Sequence, residues 1–246
     1  MRSLTEKELL NVWEDCIDLS LTETSLHLIG AASSISDLSG IAALSIGQRD
    51  VRLLQLREWM FGSRLKNMAV CPHCSESIEW ENNVNDLRLQ PILADAGKVF
   101  NAEIDGFKIS YRLPTSRDIF NLDHDAYDNG NSVNALLSQC ILEIKENSVT
   151  HAAKDLPQNI IAQLNEHMSH EDPQADITIL LTCPSCAGQW QAGFDIMSYL
   201  WSEINSWARH ILQEVYILAK FFGWSENDIL KISPKRRQLY LQMVQS

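Results

Sequence analysis

At 246 residues the chain can bury one large core or two small ones, and with 45% hydrophobic and 21% charged residues it is neither disordered nor fibrous. Its 20 Lys and Arg against 32 Asp and Glu leave a formal net charge of −12, which argues against a protein built to grip phosphate backbones or anionic lipid. The charged start MRSLTEKELL lacks the apolar run of an export signal, and the most apolar stretches, 177–183 and 215–224, fall far short of the roughly 20 residues of a membrane span, so an intracellular, cytoplasmic protein is expected.

The first segment predicts a helix: Thr5 with Glu8 forms a capping box, and Leu9, Leu10, Trp13, Cys16 and Ile17 follow at helical spacing. A second apolar segment runs from Leu21 to Ala32, and the small-residue stretch AASSISDLSGIAAL after it reads as a surface loop or an exposed short helix. Ser45 with Gln48 opens another helix, which presents Val51, Leu54, Trp59 and Met60 and stops at Gly62. Met68 to Val70 is a short strand, CPHC a tight turn, and Ile78 and Trp80 alternate as a second strand. NDLRLQPILADA fits no single period. VFNAEIDGFKISYRLP then reads as a hairpin around Asp105-Gly106, a favoured turn pair.

Pro114 ends that hairpin, and Thr115 with Asp118 caps the next helix. The polar, acidic and Gly/Asn-rich segment from Asp123 to Asn134 is expected as a loop. Leu136, Leu137, Cys140, Ile141 and Ile144 form a helical stripe, and Ile160 to Met168 a short helix. ADITILL, CPSC and the alternating Trp190, Ala192 and Phe194 repeat the order strand, turn, strand. From Asp195 a long helix puts Leu200, Ile204, Trp207, Ile211, Leu212, Val215, Leu218 and Phe222 on one face and ends at Gly223. Ser225 with Asp228 caps a single-turn helix, and Ser233-Pro234 starts a last, basic helix, PKRRQLYLQM.

Six cysteines are too few for a disulfide scaffold in a chain this long, and four of them form two C-P-x-C pairs, Cys71 with Cys74 and Cys183 with Cys186. Two intervening residues let one tight turn aim both thiolates at one ion, so two such pairs predict a tetrahedral zinc site. Four thiolates leave no room for a reactive water, which makes the metal structural and not catalytic. The unusual feature is the separation: residues 75 to 182, 108 in all, lie between Cys74 and Cys183. Either the turns meet in space and share one zinc, or each belongs to a dimer-related or degenerate site; their matching motif and flanking strands favour the first. A redox dithiol fits less well, because neither pair opens a helix. His73 reads as a surface residue of the first turn, and Cys16 and Cys140 as core.

Other constellations carry less. Seven tryptophans at mostly helical spacing read as core, with Trp224 packing back on the helix it follows. Lys235, Arg236 and Arg237 form the one dense basic cluster; cations are unfavourable in a first helical turn, so an acidic partner, or pairing with Glu226 and Asp228, would account for them. His167 and His170 beside Glu166 and Glu171 fit a loop better than a reactive cluster, and no phosphate loop, nucleophile elbow or kinase motif is present.

The pattern predicts an α+β protein with a zinc-ribbon-like antiparallel β core, helices before, between and after it, and a long C-terminal helix. Its expected divisions are a helical region over 1–65, a β core with a helical insertion over 66–194 and a helical region over 195–246. The segments LSIGQRDVRLLQLREWMFG, CPHCSESIEW, YRLPTSRDI, CPSCAGQWQAGFDI and FFGWSENDILKISPKRR resemble, in order over about 44–243, the baseplate hub assembly chaperone family of T-even-type phages, as found beside contractile injection system genes. The first helices do not enter the resemblance. It implies a non-enzymatic assembly factor or baseplate component that contacts hub, spike or other baseplate proteins and either helps build a phage-tail-like particle or is retained in it, with Cys71, Cys74, Cys183 and Cys186 as ligands of a structural zinc. A zinc-ribbon nucleic-acid-binding protein is the alternative, disfavoured by the charge and by the lack of cations beside either turn.

Overall fold

The computed structural model describes residues 1–89, 97–122, 132–147 and 149–245. The first three helices are α1 (Glu6–Cys16), α2 (Leu21–Ser33) and the four-residue α3 (Ser39–Ala42). Thr5 and Ser20 close full capping boxes with Glu8 and Glu23. The small-residue stretch does contain a short helix, but it is not an exposed one, because Ile41 and Ala42 turn inward. Ser45 and Gln48 cap α4 (Ile46–Phe61), which ends at Gly62 in a left-handed φ of +88°. Leu26, Leu28 and Ile29 of α2 meet Leu53, Leu54 and Leu56 of α4 in a core shared with Leu200 and Ile204 far down the chain.

Among the described residues the strands form three antiparallel sheets. β1 (Arg64–Val70) pairs with β2 (Ser77–Asn83), Met68 opposite Glu79, and β7 (Ile177–Thr182) pairs with β8 (Gln189–Phe194), Leu181 opposite Trp190. After β2 comes one helical turn, α5 (Val84–Leu87). The third sheet has the order β3 (Val99–Ile104), β4 (Phe107–Arg112), β5 (Ile141–Glu146) and β6 (Val149–Thr150). The chain is therefore α+β, with its strands divided among three sheets and not gathered into one β core.

The third sheet lies in the stretch between the two cysteine pairs, with α6 (Ser116–Phe120), α7 (Ser132–Cys140) and α8 (Gln158–Glu171). It has a core of its own, in which Phe100, Ile109, Tyr111 and Ile144 pack against Leu137, Ile160 and Leu164. The hairpin turns at Asp105-Gly106 as expected, with both residues at positive φ. The stripe read as helical through Ile144 is corrected: α7 stops at Cys140, and Ile141–Glu146 joins β4. Pairing with a neighbouring strand outweighs the weak helical preference of Ile141 and Ile144, whose branched side chains suit a sheet. The loop expected from Asp123 to Asn134 lies outside the described residues up to 131, and α7 begins at Ser132. Residues 90–96 of the ambiguous NDLRLQPILADA also lie outside them.

Where α8 ends, Asp172 accepts the Gly47 N–H of α4 at 2.9 Å. A Cβ at Gly47 would stand 2.0 Å from Asp172 Oδ1 and 3.0 Å from the Ala175 nitrogen, so this contact admits only glycine. Gly47→Ala is expected to cost about 1–3 kcal/mol through overpacking, read as a fall in Tm of roughly 2–4 °C for each kcal/mol in a chain of this size. An unchanged melting temperature would show that α4 and the end of α8 can separate freely.

The spine of the molecule is α9 (Ile196–Phe222), 27 residues and hence about 40 Å long, capped by Asp195 and ended by Gly223 in the left-handed region. Its N-terminal turns belong to the core of α1, α2 and α4, and its later turns bury Ile211, Val215 and Leu218 against α10 (Glu226–Lys231) and α11 (Pro234–Gln245). Trp224 does pack back, stacking on Phe222 at 4.6 Å and meeting Tyr240 edge-on. None of the seven tryptophans is fully buried, however, and Trp59 is 42% exposed.

Candidate metal centre

Both hairpins are rooted at the first turns of α9. β8 runs into it through Asp195, which accepts the Met197 and Ser198 N–H groups. β1 is held by Tyr199, whose hydroxyl accepts the Lys66 N–H at 2.9 Å and donates to the Lys66 carbonyl at 3.1 Å. Arg57 of α4 secures the bend before β1, donating to the Gly62 carbonyl and, through Nε and a terminal nitrogen, to both carboxylate oxygens of Glu203. Two hairpins with a common footing end at a common height. The third sheet and α6, α7 and α8, which lie between the two hairpins in the chain, form a core of their own and do not part the tips.

The two tips have the same backbone construction. Cys71 N–H donates to the Glu76 carbonyl and Ser75 N–H to the Cys71 carbonyl; Cys183 N–H donates to the Gly188 carbonyl and Ala187 N–H to the Cys183 carbonyl. Ser75 and Ala187, each just after the second cysteine, both take left-handed φ values, +62° and +57°. That reversal lets N–H groups approach the sulfurs. His73 donates to Cys71, Glu76 to Cys74, Ser185 and Cys186 to Cys183, and Gly188 to Cys186.

The four sulfurs converge, all within 4.8 Å of one another. Cys71 Sγ is 3.8 Å from Cys186 Sγ, and Cys74 Sγ is 3.5 Å from Cys183 Sγ. A tetrahedral ion with metal–sulfur bonds of about 2.3 Å needs edges of about 3.8 Å, so two of the edges are already close to that length and no pair exceeds it by more than about 1 Å. Among the described residues this is the one group of His, Cys, Asp or Glu side chains placed to hold a metal. Cys71 and Cys183 are buried and Cys74 and Cys186 face outward, leaving no open position for a substrate. The Cys186 N–H, with that of Ser185, draws the Cys183 thiol down to about 7. The Glu76 N–H favours the Cys74 thiolate, but the Cys183 sulfur, burial and the other two sulfurs outweigh it and hold that thiol up at about 12. Four adjacent sulfurs cannot all ionise unaided, and a dication removes the conflict.

His73 is exposed, as expected, but it also lies over the opposite tip. A Cβ at Gly188 would stand 2.5 Å from His73 Cδ2 and 3.3 Å from Cys186 Sγ, so the absence of a side chain at Gly188 allows this closeness. Cys16 and Cys140 are fully buried, and burial first of all pushes their thiols up, to about 11 and about 12. His167 and His170 lie in α8, not in a loop.

Of the basic cluster, Lys235 and Arg236 are exposed but Arg237 is not. Its side chain is 1% exposed, with Nε on Glu214 at 2.9 Å and its terminal nitrogens on Glu6 of α1. It is removed from the surface the sequence assigned it to, and its acidic partners are not Glu226 and Asp228. Beneath the tips, Met68, Trp80, Ile179, Ala192, Phe194 and Tyr199 line a cleft of about 360 Å³ between the hairpins.

Fold and site together define an α+β protein in which two hairpins, remote in sequence, bring four cysteines close enough to hold a metal ion. Residues 5–198 match the family model described as T4 bacteriophage base plate protein, and the chain belongs to that family. The match takes in α1 and α2, which the sequence resemblance left out, and both cysteine pairs, and stops at the third residue of α9. Searches of the curated proteins and of the solved structures returned no match. Among the described residues no helix is long and apolar enough to cross a membrane.

Proposed function

We propose that this baseplate protein is a non-enzymatic assembly factor whose hairpins are clamped by one structural zinc ion, and which works by contact with hub, spike or other baseplate proteins as an assembly chaperone or a retained component. The observation that carries the reading is the convergence of Cys71, Cys74, Cys183 and Cys186 within 4.8 Å in a chain of the base plate family. A tetrahedral all-sulfur set suits zinc or iron; two C-P-x-C turns with N–H groups aimed at the sulfurs and no open ligand position fit a structural zinc. The ion ties the chain's first hairpin to the last and so fixes the surface offered to partners.

The test is deletion of the gene from a producing strain, with particle counts and hub content measured, alongside affinity purification of the tagged full chain. The reading expects loss of assembled baseplates and co-purification of hub or spike proteins, both reversed by the wild-type gene and not by a Cys183→Ser variant. Particles assembled in normal number with full hub content would overturn it.

A further inference from the structure

The register of each hairpin shows where its free backbone groups point. Cys71 N–H meets the Glu76 carbonyl and Val84 N–H the Ser63 carbonyl, so hydrogen-bonded pairs alternate between them. On β1 the backbone groups of Lys66 and Met68 therefore turn away from β2. Tyr199 lies on that side, holding both the N–H and the carbonyl of Lys66. Cys183 N–H on the Gly188 carbonyl sets the second hairpin in the same way, and on β8 the groups of Gln191 and Gly193 turn away from β7. Among the described residues, no backbone partner meets Met68 or Gly193 on these edges.

Both edges open on the cleft beneath the tips. Four consecutive residues of β1, Lys66 to Ala69, line it, and so do Ala192, Gly193 and Phe194 of β8. A strand that turns its face to a cleft shows alternate residues; consecutive ones mean that its edge is turned there. β2 and β7 add only Trp80 and Ile179, from their half-buried faces. Gly193 carries a second sign. It takes no left-handed φ, and a Cβ there would meet nothing within 4 Å, so nothing inside the molecule requires glycine. Glycine within a strand often marks the close approach of another backbone.

We propose that a single extended segment of another protein enters this cleft as a strand, pairing with β1 at Met68 and with β8 at Gly193, its alternate apolar side chains on Trp80, Ile179 and Phe194. This rests on the reading of the chain as one that acts by contact, and names the form of the partner. β1 climbs to the tips and β8 descends from them, so the segment runs antiparallel to one and parallel to the other. A strand held between two edges must have both of its own edges free. Among the described residues every strand is already paired, so no strand of a second copy can supply it. Main-chain pairing supplies the affinity, and the floor of the cleft selects the side chains.

The probe is a displayed library of random heptapeptides panned on the zinc-loaded full chain, the selected peptides then being synthesised and titrated. Binders with apolar residues at alternate positions are expected. Met68→Pro and Gly193→Pro each remove one cleft-facing N–H without breaking a ladder bond, and proline is tolerated at such edge positions. Each should weaken binding about tenfold or more by leaving an acceptor of the peptide unmet. Glu79→Pro and Leu180→Pro remove outward N–H groups from the far edges of the same hairpins, and Met68→Ala keeps the donor but not the side chain; all three should leave affinity nearly unchanged. N-methylation at each of two successive central residues of the peptide should abolish binding, because neighbouring amides point to opposite edges. A library without binders, binders indifferent to both cleft prolines, or loss on N-methylation at alternate positions only would overturn the proposal. Self-association of the wild-type chain that Met68→Pro abolishes would overturn it too, by giving the edge to a second copy. Metal content and circular dichroism, measured on every variant, keep these outcomes apart from a failed clamp, and hub content and co-purification test the contact reading independently.

Discussion

Replacement of Cys183 by serine is expected to abolish metal binding and to lower the melting temperature by roughly 10–20 °C. An ion shared by the two tips would close a loop of 108 residues between Cys74 and Cys183, and in the chain-entropy view a cross-link closing a loop of about 100 residues contributes about 4.7 kcal/mol. At about 2–4 °C for each kcal/mol in a chain of this size, that loss gives the shift stated. Two-stranded hairpins are marginal in isolation, so the tips should part while the helical cores persist. Far-UV circular dichroism would then change little, while fluorescence from Trp80 and Trp190, which sit on the half-buried faces of their hairpins, shifts to the red. A chelator added to the wild type should give the same result. Cys16→Ala and Cys140→Ala should leave the metal content untouched, because both thiols are buried away from the cluster. A Cys183→Ser variant with normal metal and normal melting would contradict the shared site.

The second large effect is expected at Arg237, which joins α11 to α9 and α1. Arg237→Met strands Glu214, whose side chain is 5% exposed, and should cost about 3–5 kcal/mol, the usual penalty for breaking a buried ion pair from one side. His210 and Gln238 also reach Glu214 and soften the loss without replacing the charge and fork of a guanidinium. Because an apolar pair of similar volume is commonly no worse than a buried ion pair, Arg237→Met/Glu214→Met should recover most of the stability. Glu6, at 24% exposure, can turn to water. Urea unfolding midpoints check both; a single variant as stable as the wild type would mean that the pair carries no net stability.

Much of this molecule is written locally. Thr5 with Glu8, Ser45 with Gln48, Asp105-Gly106 and Gly223 each act within a few residues, and each stands where its pattern places it. The cysteine pairs are equally local, and their repetition favours a shared ion before any fold is known. What is not local was not legible. That the two tips meet depends on Tyr199 and Asp195 giving the hairpins a common root on α9, and nothing near either residue in the chain announces that role. Arg237 reads as a surface cation because its partners, Glu6 and Glu214, are 231 and 23 residues away. Ile141 to Glu146 reads as the end of a helix because a buried strand and a helix turn can present the same apolar residues, and only the pairing with β4 decides between them.

The measurement that bears most directly on the clamp is elemental analysis of the full chain purified without chelators, paired with the same analysis after both cysteines of one tip are replaced. One zinc for each chain, lost when Cys183 and Cys186 become serine and lost equally when Cys71 and Cys74 do, is the expected result. A chain without zinc, or one that keeps its metal on a single remaining pair, would contradict the account.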